Sequence, residues 1–527
     1  MIRRHGRFAH LAAACGTTLL LLSTACGGGS GSGTSSGSTA SAGKPVSGGT
    51  ARVLQLSEPR SLDPALIGNS WVTGGFVGNA LYGTLMINDT RTGKVQYKMA
   101  EAFTTEDGGK TFELKLRDGL KFSDGTPLDA AAVKFNWDRT KDPAIGSSTI
   151  QEASLMASTK VVDATTLKVT MTQPVPSYAQ AVLSTTLNWI ASPKALKAGR
   201  QAFDAKPVGA GPYTLKKWTR QASIELAKNP GYYDAAKPYL DGFTIRPALD
   251  TKQRIDTLMS SGADVAIETN WKNLAKSADA GYPTATAPLN GGMYMAMNTR
   301  RAPFDDVRAR KAVATAFDFE TMKQAVYNGE GKAADTLFEK TSPFYSDIKL
   351  TQTNREAAQK LFDELAADGK PVSFTFKTFP STENRAMAES LQTQLSRFKN
   401  VEVKVKVIDY ADNLALHATH DFDMLVSSAN FIDPETRLYS AFHGGSRANM
   451  SGIDDDALNA ALQKGRTATS TEERKAAYKA VQERLAEVAP GVFIGRSAPS
   501  AVTGKNVHGI VLYGEGSLLP EELWIAK

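Results

Sequence analysis

The chain has 527 residues, of which 42% are hydrophobic and 22% are charged, and its formal net charge at pH 7 is +7. This length exceeds what one hydrophobic core usually organises, so it indicates two or three domains of ordinary globular composition. The positive excess is small for the length and forms no run of lysine and arginine, which argues against nucleic-acid binding.

The N-terminus has the pattern of an export signal. Residues 1–10 are basic, and residues 11–22 are apolar but too short to span a bilayer comfortably; the sequence STAC then ends at Cys26. This pattern resembles a bacterial lipoprotein signal, in which the cysteine becomes the lipidated new N-terminus, although Ser23 stands where leucine is usual. An ordinary secretory signal that is cleaved nearby is the alternative.

The Gly/Ser-rich residues 26–47 predict a flexible tether between the membrane and the body. Because Cys15 and Cys26 are the two cysteines of the chain, the body has neither a disulfide nor a reactive thiol. GTSSG at 33–37 and SAGK at 41–44 match catalytic patterns, but they lie in low-complexity sequence where no packed structure would support chemistry.

Short strands and helices alternate from residue 48 onward, which favours an α/β or α+β body. Residues 111–117 alternate apolar and polar side chains and predict a half-buried strand. Asp129 stands where it can cap a helix that runs to Arg139.

Two later segments predict a hairpin and a strand-to-helix junction. The hairpin covers 207–234, and the glycines before Pro212 indicate a sharp turn or a close approach of the backbone to another segment. In MNTRRAPFDDVRARKAVATAFD (297–318), a strand ends, a turn contains a proline, and a helix begins after a cap at Asp305 or Asp306. The charges that follow are interpreted as solvent-facing: Arg308, Arg310 and Lys311.

Near the C-terminus, STEE at 470–473 is a capping box that opens a long helix, and Pro490-Gly491 ends that helix. GVFIG at 491–495 and GIVLY at 509–513 then predict two short strands.

The body lacks the motifs of common catalysts, since it has no P-loop, no dinucleotide-binding fingerprint and no HExxH. His417 and His420 form an H-x-x-H pair, but no cysteine or third ligand accompanies it, so no metal site is predicted. An exported α/β chain without a catalytic set indicates binding rather than catalysis, and no cofactor is expected.

Several segments together resemble one known family. They are SLDPA (61–65), ALYGTLM (80–86), the long stretch 99–139, VGAGPYTLKKW (208–218), NPGYYD (229–234), the junction 297–318 and NMSGIDDDALNAALQKG (449–465). In sequence, order and spacing they are similar to the extracellular solute-binding proteins of ABC importers, in the oligopeptide, dipeptide and nickel branch known as family 5.

The resemblance implies an α/β, two-lobed periplasmic-binding-protein-like fold of type II, with an extra subdomain and a hinge between the lobes. The expected divisions are a lipoprotein signal peptide (1–25), a tether (26–47), lobe I part a (48–85), the extra subdomain (86–205), lobe I part b (206–298), lobe II (299–490) and a return to lobe I (491–527).

The resemblance also implies a function. A monomer, anchored by lipid at Cys26 on the outer face of the cell membrane, would capture peptides and deliver them to an ABC permease and its ATPase subunits. It would be no enzyme. An oligosaccharide, an opine or a metal chelate is the alternative ligand, and an exported hydrolase or a signalling module is the alternative class.

Ligand contacts are implied at the loop after SLDPA, at the strand end IETNW and in the second lobe. The residues are Gly68, Asn69, Ser70, Trp71, Glu268, Thr269, Asn270, Trp271, Tyr410, His417, Asn430, Phe431 and Asp433. Peptide binders of the family commonly carry a Trp followed by an Asp that pairs with the peptide amino terminus. Here the segment SSANFIDP (427–434) has no Trp, so Asn430, or Asp433 in a shifted register, takes that place.

Overall fold

The computed structural model describes residues 43–69, 71, 74–409 and 412–527, and residues 44–527 form one compact unit. Cys26, Ser70 and Tyr410 lie outside the described residues, and so does the side chain of His417. The predictions made for them therefore remain predictions.

The strands of the described part have the following bounds: β1 (Thr50–Gln55), β2 (Met86–Asn88), β3 (Val95–Tyr97), β4 (Ala100–Thr104), β5 (Thr111–Leu116), β6 (Met156–Val161), β7 (Thr166–Met171), β8 (Tyr213–Thr219), β9 (Ser223–Lys228), β10 (Gly242–Pro247), β11 (Val265–Glu268), β12 (Thr284–Thr286), β13 (Asn290–Met297), β14 (Val372–Thr378), β15 (Val401–Val407), β16 (Met424–Phe431), β17 (Gly491–Gly495), β18 (Ser500–Thr503), β19 (Val507–His508), β20 (Leu512–Tyr513), β21 (Ser517–Leu518) and β22 (Trp524–Ile525).

The α-helices of the same part are α1 (Gly75–Tyr82), α2 (Ala130–Thr140), α3 (Ile150–Ala153), α4 (Tyr178–Ser184), α5 (Pro193–Lys197), α6 (Arg200–Ala205), α7 (Thr251–Met259), α8 (Trp271–Asp279), α9 (Val307–Ala316), α10 (Phe319–Tyr327), α11 (Arg355–Ala367), α12 (Thr382–Leu395), α13 (Asn413–Thr419), α14 (Pro434–Phe442), α15 (Asp456–Thr467) and α16 (Thr471–Val488).

A seven-stranded mixed sheet, ordered β12-β18-β11-β1-β10-β9-β8, forms the base of what we call the first lobe. β1 lies at its centre and runs parallel to both β10 and β11, while the remaining pairs are antiparallel. The apolar faces of these strands pack on α1 in a core that includes Phe76, Tyr82, Trp189 and Phe243. A four-stranded antiparallel sheet, β4-β5-β7-β6, adds a second layer to this lobe.

The four-stranded sheet and α2 share a core around Phe103, Phe112 and Trp137, and Tyr513 and Leu519 from the C-terminal segment pack into it. The end of the chain therefore fixes this subdomain to the rest of the first lobe. This packing supports the predicted extra subdomain at 86–205, whose exact bounds remain a proposal.

A five-stranded sheet, ordered β15-β14-β16-β13-β17, forms the base of what we call the second lobe. This sheet includes β13 and β17. The sequence had predicted both strands in the first lobe, β13 at the end of its part b (206–298) and β17 in the return segment (491–527). Because strand pairing decides which body a segment belongs to, we propose lobe boundaries just before residue 290 and just after residue 495.

The locally encoded elements agree with the sequence. β5 matches the predicted strand 111–117 except for its last residue, Asp129 caps α2, and β8 and β9 form the predicted hairpin. The capping box at Ser470 and Glu473 is formed at the start of α16. The predicted strand at 509–513 was wrong in extent, since only Leu512–Tyr513 are extended and paired.

Arg310 corrects the interpretation of the 297–318 junction. Asp306 caps α9 as predicted, but the Arg310 side chain is buried rather than solvent-facing. Its guanidinium donates hydrogen bonds to the carbonyls of Val488 at 2.8 Å and Phe304 at 2.8 Å. The residue joins the start of α9 to the end of α16, because those carbonyls would otherwise be buried without partners.

The SLDPA motif is also a packing device. Asp63 is almost fully buried and receives a two-pronged ion pair from Arg139 at the end of α2. Close backbone approach explains the glycines before Pro212, because a Cβ on Gly211 would lie 2.3 Å from the Ala80 carbonyl oxygen. Both motifs that carry the family resemblance thus hold the first lobe together.

Candidate functional site

A cavity of about 220 Å³ lies between the two lobes. One wall comes from the first lobe: the loop after β1, the end of β2, the start of α3, α4 and the turn between β20 and β21. The opposite wall comes from the end of β16 and the first turn of α14. The described lining residues are Gly68, Asn69, Asn88, Ser148, Thr149, Glu152, Gln180, Leu183, Ser184, Thr185, Phe431, Ile432, Asp433, Thr436, Arg437, Gly514 and Glu515.

Asn69 and Asn88 build the first-lobe wall onto the C-terminal segment. Asn69 Nδ2 donates to the Tyr513 hydroxyl at 3.2 Å, and Asn69 Oδ1 accepts from the Ser517 hydroxyl at 2.7 Å. Asn88 Oδ1 accepts from the backbone N–H of Gly514 at 2.8 Å, whereas its buried Nδ2 has no hydrogen-bond partner. One residue of this wall therefore carries a buried donor without a hydrogen-bond partner.

Glu152 lies in the short helix α3, and its buried Oε2 has no hydrogen-bond partner. Burial raises the pKa of this carboxyl from 4.5 to about 7; Glu435 raises it further, while Arg437 and Arg466 lower it. Burial likewise raises the pKa of Glu515, and Arg437 again opposes the shift. Two first-lobe carboxyls thus lie within the electrostatic reach of one second-lobe guanidinium.

The second-lobe wall is the N-terminus of α14. Asp433 caps this helix by accepting from the backbone N–H of Glu435 at 3.0 Å, and Arg474 binds both of its carboxylate oxygens at 2.8 and 3.0 Å. Arg437 donates to the Ser428 carbonyl at 3.0 Å. In the described part of the chain no carboxylate lies within ion-pair distance of Arg437, so Asp433 is neutralised and Arg437 is not.

Side chains of the two lobes also meet outside the cavity lining. Gln463 donates to Gln173 at 2.8 Å, and Gln151 approaches Ser446 at 3.4 Å. Elsewhere along the lobe interface, Asn270 at the start of α8 bonds to Glu383 of α12. Several side-chain contacts therefore join the two lobes in this structure.

Comparison with known proteins gives the family. The model of the bacterial extracellular solute-binding proteins, family 5 (middle region), matches residues 94–449. The chain belongs to this family. Glutathione-binding protein GsiB of Escherichia coli (strain K12) is 28% identical over 317 residues, which cover 60% of this chain and 61% of that relative. The match thus spans less than two thirds of the relative's length.

Solved structures of periplasmic binding proteins share the two-lobed fold. AgaA from A. tumefacien R10, in complex with agropinic acid, has a TM-score of 0.80 at 26% identity and covers 91% of this chain and 99% of that one. DppA from Helicobacter pylori, in complex with the peptide STSA, has a TM-score of 0.81 at 21% identity, with 92% and 99% covered. The predicted fold class is confirmed, and DppA at this identity supports the fold alone.

The structure brings together only some of the residues that the family resemblance implied. Asn69, Phe431 and Asp433 line the cavity together with Gly68. The other described candidates are absent from its lining; they are Trp71, Glu268, Thr269, Asn270, Trp271 and Asn430. The predicted site is thus divided between this cavity and places elsewhere in the fold.

Glu268 and its neighbours form a separate cluster at the end of β11. Glu268 is fully buried and pairs with the fully buried Arg254 at 3.0 Å, and it also accepts from the backbone N–H groups of Thr269 and Asn270. Trp271 donates its indole N–H to the Arg496 carbonyl at 3.0 Å. Hydrogen bonds within the protein therefore already occupy these residues.

Asn430 lies in β16 opposite Gly291, and its buried Oδ1 has no hydrogen-bond partner. Trp71 packs against the core of the first lobe. Neither position contributes a polar group to the cavity in this arrangement.

Several charged or amide residues of the lining were not predicted from the sequence, among them Asn88, Glu152, Arg437 and Glu515. Arg437 stands three residues beyond the quoted segment 427–434, so a helix begun at Pro434 would have placed it one turn inside the same wall. Glu152 and Glu515 gave no comparable signal, because they are separated by more than 350 residues and meet only through the fold.

None of the described residues forms a group of three His, Cys, Asp or Glu side chains suited to a metal ion. Among the helices of the described part, none combines the length and the hydropathy that a membrane span requires.

Replacing Glu152 by Gln should raise the free energy of unfolding of the ligand-free protein by about 1–3 kcal/mol at pH 8, because it removes an unpaired buried charge. The folded-state pKa is raised from 4.5 to about 7, so the destabilisation is absent below pH 4.5, grows between pH 4.5 and 7 and is complete above pH 7. Urea unfolding at pH 5 and pH 8 measures this difference. An equal gain at both pH values would contradict it.

Proposed function

We propose that this protein is the substrate-binding component of an ABC importer, which captures peptides outside the membrane and delivers them to a permease. The observation that carries the proposal is the cavity lined by both lobes, with polar side chains from each. A ligand that contacts both lobes stabilises the closed arrangement over the open one, and a permease can then recognise the closed form. We assign the protein no catalytic step.

The ligands named for its relatives support a peptide. GsiB is named as a glutathione-binding protein, and the solved structures include DppA with the peptide STSA and a dipeptide-binding protein with Met-Leu. Agropinic acid, the ligand of AgaA, supports an opine as the second candidate within the same transport class. Both candidates require polar contacts at the ends of a small molecule, as this cavity offers.

The experiment is native and then denaturing mass spectrometry of the purified protein. A series of peptide masses released on denaturation is the expected result, and uptake of labelled peptide that stops when the gene is deleted would complete it. Release of an opine or a sugar would leave the transport class and overturn the peptide ligand. The transport role would be overturned if the protein bound no small solute and if deletion of its gene left peptide uptake unchanged.

Lipid anchoring at Cys26 is a further part of the proposal, supported by the lipobox-like STAC and by the tether that follows. Replacing Cys26 by Ser should move the protein from the membrane fraction to the soluble extracellular fraction, because acyl chains supply the membrane affinity. Cys15→Ser is the matched control and should leave the protein in the membrane fraction. A soluble wild-type protein with an unmodified N-terminus would contradict the anchor.

A further inference from the structure

Two residues of the cavity lining each carry a buried polar atom that has no hydrogen-bond partner, and the two atoms differ in character. Glu152 Oε2 is an acceptor, and Asn88 Nδ2 is a donor. A buried polar atom left unpaired costs about 1–3 kcal/mol, so two such atoms on residues that line one cavity mark places where a bound ligand can complete the bonding. The ligand must therefore both donate and accept.

Acidic and basic side chains stand on opposite walls of the cavity. Glu152 and Glu515 stand on the first-lobe wall, and Arg437 stands on the second-lobe wall. Arg437 influences both carboxyls electrostatically but forms no ion pair with either in the described part of the chain. One end of the cavity thus suits a cation, and the opposite wall suits an anion.

We propose that the cavity binds a small zwitterion whose ammonium group is held by Glu152 and Glu515 and whose carboxylate is held by Arg437. This inference rests on the proposed function and deepens it, because it names the groups that select the ligand. It moves the ammonium contact from the second lobe, where the family resemblance places it, to the first lobe.

The second-lobe alternatives are already committed to other contacts. Arg474 binds both oxygens of Asp433, and Asp433 caps α14 as well, so a ligand ammonium would have to displace a guanidinium. Asn430 is not among the described lining residues and carries no charge. A buried ammonium needs a carboxylate partner, which leaves Glu152 and Glu515.

The cavity also limits the size of the ligand. Its volume of about 220 Å³ is smaller than the roughly 300–1,000 Å³ typical of sites for drug-sized molecules. A ligand of one to three amino-acid residues is the expected class, with both charged ends close together. A long peptide would have to keep the lobes apart.

Proton release should accompany the binding of such a ligand. Burial raises the pKa of Glu152 to about 7, with Glu435 raising it further and Arg437 and Arg466 opposing. An ammonium favours the ionised carboxylate, so affinity should fall by about tenfold between pH 8 and pH 6. Tyr178, whose hydroxyl donates to the backbone carbonyl of Glu152, packs beside it and stays neutral over this range.

The test is native mass spectrometry of the full chain with an equimolar mixture of dipeptides and tripeptides in three forms. The forms are free, N-acetylated and C-amidated, and glycine betaine and sucrose are included as non-peptide probes. The wild-type protein should retain free peptides at least about tenfold over both blocked forms, since a charged hydrogen bond contributes about this much.

Three variants locate the contacts. Glu152→Gln should lose the preference for a free ammonium, and Arg437→Gln should lose the preference for a free carboxylate. Asp433→Asn tests the rival contact on the second lobe, which this inference does not use. Glu389→Gln, at an exposed position outside the cavity lining, is the matched control and should keep both preferences. Thermal unfolding of each variant checks that the fold is retained.

The outcomes separate this inference from the proposed function. Two outcomes would overturn the inference and leave peptide binding intact. In one, the protein retains peptides regardless of N-acetylation. In the other, Asp433→Asn abolishes the preference for a free ammonium and Glu152→Gln does not. Capture of betaine without any peptide would overturn both the peptide ligand and the hydrogen-bonded ammonium, because the quaternary ammonium of betaine has no N–H to donate. Capture of sucrose alone, or of no probe, would overturn both.

Discussion

A disulfide between positions 108 and 469 should slow ligand association by at least roughly a hundredfold. Gly108 lies in the turn between β4 and β5 of the first lobe, and Thr469 lies just before α16 of the second. A Cβ on Gly108 would lie 3.0 Å from Thr469 Cγ2, so cysteines at both positions approach the separation that a disulfide needs. The bond would hold the lobes closed over the cavity.

The physical reason is access. Both lobes line the cavity, so a solute enters when they separate, and binding then depends on the fraction of molecules that open. Gly108→Cys carries some backbone strain, because the residue has a φ of +70°, and this costs about 1 kcal/mol. That cost is small beside the roughly 5–15 kcal/mol of unfolding free energy that a folded domain usually has. The disulfide variant should therefore fold.

Stopped-flow fluorescence with a bound peptide identified by mass spectrometry measures the association rate. Cys15 and Cys26 are replaced by Ser, so that the engineered pair alone can oxidise. Reduction with dithiothreitol should restore the rate, and the single variants Gly108→Cys and Thr469→Cys should bind normally. Unchanged association in the fully oxidised pair would show that solute enters without separation of the lobes.

Much of the secondary structure could be predicted because its signals are local. The cap at Asp129, the capping box at Ser470 and the hairpin of β8 and β9 depend on residues within one or two turns of each other. Arg310 was misread because its partner carbonyl at Val488 lies 178 residues away. Charge alone indicated solvent, whereas the packing of α9 on α16 decided burial.

The cavity could be predicted only in part, for the same reason. Asn69 and Asp433 follow motifs that can be recognised along the chain, but their partners Tyr513 and Arg474 cannot be identified from the sequence. Glu152 is an ordinary carboxylate on the surface of a short helix until the second lobe covers it. The surroundings of Glu152 therefore depend on the approach of the second lobe, which no local pattern encodes.

Glu268 shows how a strand-end position can mislead. It ends β11, as a ligand-contacting residue often ends a parallel strand, and the family resemblance implied such a contact. Arg254, fourteen residues earlier on α7, instead supplies a buried counter-charge at 3.0 Å. The pair fixes α7 to the end of β11.

Replacing Glu268 by Gln should therefore cost about 3–5 kcal/mol of unfolding free energy while leaving ligand affinity within about twofold. The Arg254 guanidinium, fully buried, would lose its counter-charge, although it keeps a hydrogen bond to the Ala248 carbonyl at 2.6 Å. Urea unfolding gives the stability, and titration with the identified peptide gives the affinity. Glu389→Gln, at an exposed position, is the matched control and should change neither.

The double variant Arg254→Met/Glu268→Gln decides between a structural and a ligand-binding role. If the two residues act as a pair, the double variant should be more stable than the sum of the single losses predicts, because no unpaired charge remains buried. If Glu268 instead contacts the ligand, the opposite pattern is expected. The Glu268→Gln variant would keep its unfolding free energy and lose ligand affinity, and adding Arg254→Met would not restore that affinity. That pattern would return the segment IETNW to the binding site and require a cavity larger than the one between Glu152 and Arg437.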